Sequence, residues 1–360
     1  MLSALVRDEA KSLPSRWLQR KLWSLWVTRI KPMKHSNISI FIPHKGCPNC
    51  CSFCNQRTIS STSCAPSAEE VTHLLSEAVP KLKAPSETEI AFFGGSFTAI
   101  DRDYMISLLE AAEPFARKLG GIRISTRPDC IDREMLDILK KYGVTSIELG
   151  AQSMSDKVLE ANDRGHSAED VRTASRLIKE YGFSLGLQMM TGLYLSSPED
   201  DICTAEEIIR LRPDTVRIYP VVILGGTKLA DLYQSGVYKT IPFDEMTKLC
   251  AKLLLRFEEE KIKVIRLGLH ASDSVEGETL GGYYHPAFKE LCLGIIYRQL
   301  IEEKITGKGS FTVYVSPRSL SMAAGQKKCN IVYFMEKGIN IKIKSDSTLK
   351  ERDIRIEDLV

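Results

Sequence analysis

Cys47, Cys51 and Cys54 stand in the run His44-Lys45-Gly46-Cys47-Pro48-Asn49-Cys50-Cys51-Ser52-Phe53-Cys54, directly after an apolar stretch at 38–42 that reads as a strand. Their Cys-x3-Cys-x2-Cys spacing lets one loop wrap three thiolates around a single metal corner. Iron–sulfur cubanes normally take four cysteine thiolates, so a loop that supplies three leaves one iron open to a small ligand. Clustered thiols also suit half of a structural zinc site, and Cys50 would allow a Cys47-x2-Cys50 knuckle. A closed zinc site calls for a second pair at short spacing, whereas Cys64, Cys130, Cys203, Cys250, Cys292 and Cys329 are scattered singly. The spacing therefore favours the open cubane over zinc. Cys50 could replace Cys47 only by breaking the three-two spacing, and it reads as a neighbour rather than a ligand.

Other chemistry-bearing groups fall where further strands end. Gly94-Gly95-Ser96-Phe97-Thr98 closes the second apolar run, and paired glycines there let backbone approach a ligand closely. Ser125-Thr126-Arg127-Pro128-Asp129 closes the third, and Glu148-Leu149-Gly150-Ala151-Gln152-Ser153 the fourth. Three successive strand ends carrying polar groups toward one mouth are more than a purely structural fold needs. A lone Arg-Pro-Asp is usually a capped turn, a Met pair such as Met189-Met190 is usually core filling, and His270 and His285 read first as caps.

The elements that must carry these groups follow from periodicity. Candidate strands span 38–42, 89–93, 122–125, 146–149, 185–190, 215–219 and 264–269, separated by helical patterns at 68–82, 103–119, 133–142, 168–181, 198–211 and 243–260. Asp132, Ser167 and Ser197 sit where N-caps belong, and Gly120, Gly143 and Gly182 where helices stop. This alternation implies a parallel sheet with right-handed crossovers. Some six units suit a partial α/β barrel, a (β/α)6 TIM-like fold with its chemistry at the C-terminal strand ends. A doubly wound open sheet is the lesser option, because no Gly-x-Gly-x-x-Gly follows the first strand.

The cysteine run resembles the cluster loop of the radical S-adenosylmethionine (SAM) enzymes, which share a partial (β/α)6 barrel. Phe92-Phe93-Gly94-Gly95-Ser96-Phe97-Thr98 looks like the branch that includes the catalytic subunit of Elongator, a tRNA-modifying enzyme. Val158-Leu159-Glu160-Ala161-Asn162-Asp163-Arg164-Gly165-His166 is similar to a segment shared by that branch and the oxygen-independent coproporphyrinogen dehydrogenases. The resemblance implies a [4Fe-4S] cluster on Cys47, Cys51 and Cys54, with SAM chelated at its open iron and an external electron donor. It further implies that Phe53 and Met190 flank the adenine and that Gly94, Gly95 and Ser96 receive the SAM amino group. Ser96 stands where the superfamily carries an acid. Gln152 would reach the ribose or substrate and Arg164 the SAM carboxylate, for which a guanidinium fork is well suited.

At 360 residues and 43% hydrophobic, the chain has room for one large α/β domain with small appendages. It contains no apolar run of membrane-spanning length, and its cysteine usage suits a reducing cytoplasm. The net charge of +3 divides unevenly. A basic extension at 1–32 holds all three tryptophans (Trp17, Trp23, Trp26) and carries +5, while the barrel and its extension at 33–303 carry −7. Residues 304–345 carry +7, and a polar tail at 346–360 carries −2. Met33 just before the first strand leaves the extension with no assigned function.

Residues 310–345 read strand, helix, loop, helix, strand, with Ser316-Pro317 opening the first helix and Gly325-Gln326-Lys327-Lys328 as the loop. This order resembles a minimal KH module, whose Gly-x-x-Gly loop clamps a nucleic-acid backbone. Lys328 replaces the second glycine, so the implied RNA contact falls to Lys327 and Lys328. The functional expectation is reductive SAM cleavage that starts hydrogen abstraction on RNA, as in tRNA modification. The alternatives are tetrapyrrole or other small-molecule chemistry, or an RNA-binding protein with a vestigial cluster. Only about sixty residues follow the barrel region, and no acetyltransferase-like segment is visible among them, so the full Elongator reaction is not carried over.

Overall fold

A computed structural model describes residues 36–42, 47, 51–55, 65–270 and 273–358. The tryptophan-bearing extension, Cys50 and Cys64 lie outside the described residues. Strands and helices alternate along the first part of the chain: β1 (Ser36–Ile42), α1 (Ala68–Ala78), β2 (Thr88–Gly94), α2 (Arg102–Ala116), β3 (Ile122–Thr126), α3 (Arg133–Lys141) and β4 (Val144–Gln152). A short α4 (Asp156–Ala161) precedes α5 (Ala168–Glu180), β5 (Ser184–Thr191), α6 (Pro198–Leu211) and β6 (Thr215–Pro220). Then come β7 (Val222–Leu224), α7 (Lys228–Gln234), α8 (Phe243–Glu259), β8 (Lys263–Leu267), α9 (Asp273–Glu278) and β9 (Thr279–Gly282).

The helix starts are chemically marked. Ser167 and Ser197 each accept from the backbone N–H three residues on, and the carboxylates of Asp170 and Asp200 reach back to complete capping boxes. Asp132 caps α3 through the N–H of Met135. Gly143 and Gly182 follow their helices at φ +79° and +80°, a conformation that costs other residues.

Strands pair in the order β1-β2-β3-β4-β5-β6-β8, every pair parallel. All seven strands anticipated from the sequence fall in this one sheet, the 264–269 run as β8 at its edge. Successive residues on a strand face opposite sides. Ile90, Phe92, Ile122, Ile124, Ile147 and Leu149 point outward into a core shared with the helices. Their alternates are polar: Glu89 accepts from Arg123 Nε at 2.7 Å and from Ser146 Oγ at 2.6 Å, and Glu148 accepts from Arg217 Nε at 2.7 Å. Residues of β1 and β8, the two edges, line one common cavity, so the sheet curls around it. A β7–β9 antiparallel ribbon lies beyond β6, a pairing that two three-to-four-residue strands do not announce in sequence.

The C-terminal unit begins inside α10 (Phe288–Lys304) rather than at residue 304. Tyr297 and Ile301 of that helix belong to a second core with Phe311, Val313, Phe334 and Ile341. β10 (Gly309–Val315), α11 (Leu320–Ala324), α12 (Cys329–Glu336) and β11 (Ile339–Ser345) follow, with β10 and β11 parallel. The stretch anticipated as a polar tail contains β12 (Ile354–Asp358), antiparallel to β10, because Ile354 is buried in that core and Ile356 packs against it. No described helix is long and apolar enough to cross a membrane.

Candidate active site

The cavity enclosed by the curled sheet has a volume of about 900 Å³, and residues at the C-terminal ends of the strands line much of it. Cys47, Cys51 and Cys54 line it, as do Phe53, Gly94, Gly95, Ser96, Gln152, Arg164 and Met190. Every cofactor and metal candidate named from sequence therefore reaches one space. Lys327 and Lys328 lie apart from it, in the C-terminal unit.

Backbone and side chains of distant segments fix the cysteine segment. The Cys54 N–H donates to the Cys51 carbonyl at 3.0 Å, forming a tight turn. Ser52 N–H donates to the Asn162 carbonyl at 3.1 Å, and Ser52 Oγ to Asn162 Oδ1 at 2.8 Å. The Ser52 carbonyl accepts from Leu229 N–H at 2.7 Å, and Asn55 Nδ2 donates to the Gly225 carbonyl at 3.1 Å. Lys228 pairs with Asp163 at 2.6 Å, tying the two bracing segments together. Asn162 is fully buried. This is the physical work done by the 158–166 stretch singled out in the sequence.

Arg164 is the link between that stretch and the thiols. Its Nη1 donates to Cys51 Sγ at 3.0 Å and its Nη2 to the Gly150 carbonyl at 2.7 Å, while Nε is buried without a partner. A Cβ at Gly150 would lie 2.8 Å from Gln152 Nε2 and 3.3 Å from Arg164 Nη2, so those side-chain ends would have to shift. Gln152 itself adopts φ +64°, an uncommon conformation for a side-chain-bearing residue. Its Oε1 accepts from Gln188 Nε2 at 3.2 Å.

Gly94 stands at φ +118°, and a Cβ there would fall 2.5 Å from the Ile42 carbonyl oxygen. Gly95 N–H donates to that same carbonyl at 3.1 Å, which presses the β2 end against β1. Ser96 lines the cavity and also has partners within the protein. Its hydroxyl is buried, lies 2.8 Å from Thr126 Oγ1 and accepts from Arg127 N–H at 3.1 Å. Serine at this position braces the β2 end to the β3 end, and Thr98 Oγ1 joins the brace 2.6 Å from Thr126 Oγ1.

Sequence reasoning left Arg127, Glu148, Gln188 and Arg217 off the candidate list, yet all four line the cavity. Arg127 forks onto Asp129 at 2.9 and 2.8 Å and leaves Nη1 buried without a partner. Strand-end position was the signal available for Arg127 and Glu148; Gln188 and Arg217 needed the strand register. His166 places Nε2 3.2 Å from the Ala151 carbonyl beneath the cysteine segment. Burial, then the Arg164 charge, push it down to about 4.

The residues fit an iron–sulfur cluster and SAM. The donor set is three thiols on one cavity wall, and a guanidinium N–H on Cys51 stabilises negative charge on sulfur. Two further buried guanidinium N–H groups await an acceptor in the same space. Among the described residues, no three of His, Cys, Asp and Glu already converge on one metal position.

A seven-stranded parallel half-barrel with three thiols at its C-terminal mouth defines the class, and comparison with known proteins agrees. Residues 41–211 match the radical SAM superfamily and residues 213–295 the radical SAM C-terminal domain. The chain belongs to the radical SAM superfamily, whose enzymes use SAM and an iron–sulfur cluster. It is 29% identical to an uncharacterized protein of Methanocaldococcus jannaschii, over 62% of this chain and 67% of that one. It is 27% identical to the tRNA uridine(34) acetyltransferase of Dehalococcoides mccartyi, over 58% and 53% of the two chains. It is 33% identical to human Elongator complex protein 3 over 47% of this chain, spanning only 35% of the human protein. Among solved structures, Methanocaldococcus infernus Elp3 superposes with a TM-score of 0.57 at 19% identity, covering 76% of this chain and 65% of that one; this likeness is one of fold.

Proposed function

We propose that this chain is a cytoplasmic radical SAM enzyme that modifies tRNA, holding a [4Fe-4S] cluster on Cys47, Cys51 and Cys54. One observation carries the reading. The three thiols, the close-approach glycine pair and two buried guanidiniums with unsatisfied N–H groups share one cavity at the parallel strand ends. When bound and given an electron by an external donor, the cluster and SAM would supply radical hydrogen-abstraction chemistry. The protein's part is to bind, orient and exclude water. Phe53 and Met190 offer apolar surface for the adenine, Gly94 and Gly95 leave backbone room for the methionine moiety, and Gln152 reaches the ribose or substrate. Arg164 Nε is the donor we assign to the SAM carboxylate, while Nη1 and Nη2 stay on Cys51 and Gly150.

The printed names of relatives supply the substrate class: a tRNA uridine(34) acetyltransferase and Elongator complex protein 3. The C-terminal unit, read as KH-like, would hold RNA backbone through Lys327 and Lys328. Both are exposed, adjacent, at φ +51° and +62° in the turn before α12, and neither pairs with a carboxylate among the described residues. The test is anaerobic turnover of the reconstituted full chain with tRNA. Release of 5′-deoxyadenosine stimulated by tRNA, with a mass change in that RNA, supports the reading. Stimulation by porphyrinogens and not by tRNA overturns it.

A further inference from the structure

The curled sheet does not close among the described residues. β1 and β8 remain edge strands, and the cavity runs down the seam between them, bordered by Asn37 and Ser39 on β1 and by Lys263 and Arg266 on β8. Of the two borders, only the β8 one carries charge. Every arginine between residues 65 and 270 pairs with a carboxylate except Arg164 and Arg266, and both of these line the cavity. Arg164 is occupied by Cys51 and Gly150. Among the described residues the Arg266 side chain has no hydrogen-bond or ion-pair partner, nor do those of Lys263 on the same strand or Lys289 at the start of α10, which lines the same cavity. Glu148, the one carboxylate among the described residues that line the cavity, is already taken by Arg217.

Uncompensated cations along one wall raise the local potential for anions. Their concentration is the more telling because residues 33–303 carry a net −7. Lys263 is exposed and Arg266 and Lys289 are half-buried, so the strip runs from solvent into the cavity. One guanidinium and two ammonium groups sharing a cavity fit successive phosphates better than a single carboxylate.

We infer that Lys263, Arg266 and Lys289 form a docking strip for the phosphodiester backbone of the RNA substrate, which enters through the seam between β1 and β8. This rests on the tRNA reading and adds to it the wall along which the RNA lies. It is a site separate from Lys327 and Lys328, which do not line this cavity.

The experiment compares the cluster-reconstituted full chain with Lys263→Ala/Arg266→Ala/Lys289→Ala, measuring binding of unfractionated tRNA by fluorescence anisotropy at several salt concentrations. A control carries Lys81→Ala/Lys83→Ala/Lys118→Ala on the exposed helical side. Each phosphate released on a single strand changes the slope of log affinity against log salt by roughly 0.7, so the strip variant flattens it by about 2. The expected result is at least a tenfold loss of affinity at low salt, with the control unchanged. Charge-preserving Lys263→Arg/Arg266→Lys/Lys289→Arg restores the slope, which separates charge from folding. Equal affinity and slope in parent and strip variant overturn the strip while leaving the tRNA reading standing. No tRNA binding by the parent removes the tRNA reading, and the strip with it. If uridine monophosphate binds the parent as tightly as tRNA does, and the variant loses both equally, the strip serves a small phosphate ester and the RNA assignment falls.

Discussion

Arg164 Nη1 lies 3.0 Å from Cys51 Sγ, joining residues 113 apart in sequence. The contact makes one guanidinium answer to two demands: it steadies a thiol on the cavity wall and keeps Nε unsatisfied for a ligand. Arg164→Ala should leave the bound iron unchanged but lower the cluster's reduction potential, since a hydrogen bond and a positive charge at sulfur are both lost. SAM affinity should fall by about 2–3 kcal/mol, the scale of a charged hydrogen bond. Spectroelectrochemistry and calorimetry read the two effects separately. Unchanged SAM affinity would move the carboxylate partner elsewhere, with Arg127 Nη1 the next candidate.

Gly94 and Gly150 line the same cavity but should fail differently when changed to alanine. At Gly94 the left-handed φ of +118° and a Cβ 2.5 Å from backbone oxygen cannot be relieved by a side chain moving away. Gly94→Ala should cost about 2 kcal/mol or more of stability. At Gly150 the obstructing atoms are the ends of the Gln152 and Arg164 side chains. Gly150→Ala should fold with a loss of about 1 kcal/mol or less, yet weaken SAM binding by displacing Arg164. Urea melts beside SAM titrations distinguish the pair.

His166 gives the fold a pH dependence with a definite sign. Its folded-state pKa, pushed down to about 4 by burial and then by Arg164, lies below the ordinary 6.5. The unfolded chain therefore takes up a proton first as pH falls. The associated stability is fully present above pH 6.5 and is lost progressively toward pH 4, by roughly 3 kcal/mol over the whole window. His166→Gln should flatten urea-denaturation stability between pH 7 and 5. A parent and variant that lose stability in parallel would show that His166 is not the group responsible.

Lys327→Glu/Lys328→Glu should reduce the salt slope for RNA by about 1.4 if each lysine neutralises one phosphate. Point changes serve better here than removal of residues 304–360. Tyr297 and Ile301 belong to the C-terminal core, and truncation would strip the cover from both. Anisotropy titrations against salt provide the readout, and an unchanged slope would remove the RNA contact from this loop.

Much of this architecture can be read before folding is considered. Strands β1 to β6 and β8 show as short apolar runs because their outward faces meet helices, and serine or aspartate caps mark where those helices begin. The cysteine spacing identifies the thiols for the same reason: the group that needs them is local. What sequence conceals is whatever depends on register. Arg217 meets Glu148 across β5, and Arg266 neighbours Arg217 only through the β6–β8 pairing, so neither relation has a sequence spacing to reveal it. Ser96, which stands where the superfamily carries an acid, also braces Thr126 and Arg127, contacts that no sequence spacing reveals. β12 was hidden because Ile354 and Ile356 are set among charges, and two apolar residues make a strand only when a partner such as β10 is beside them.

The central claim is that Cys47, Cys51 and Cys54 hold a cubane cluster with one iron left for SAM, and anaerobic reconstitution tests it most directly. The account predicts a brown protein with about four irons per chain, as a cubane requires. Any of Cys47→Ala, Cys51→Ala or Cys54→Ala should abolish the cluster, and Cys50→Ala should spare it. Stoichiometric zinc in a colourless protein, or a cluster that survives loss of one of the three cysteines but not of Cys50, would contradict it.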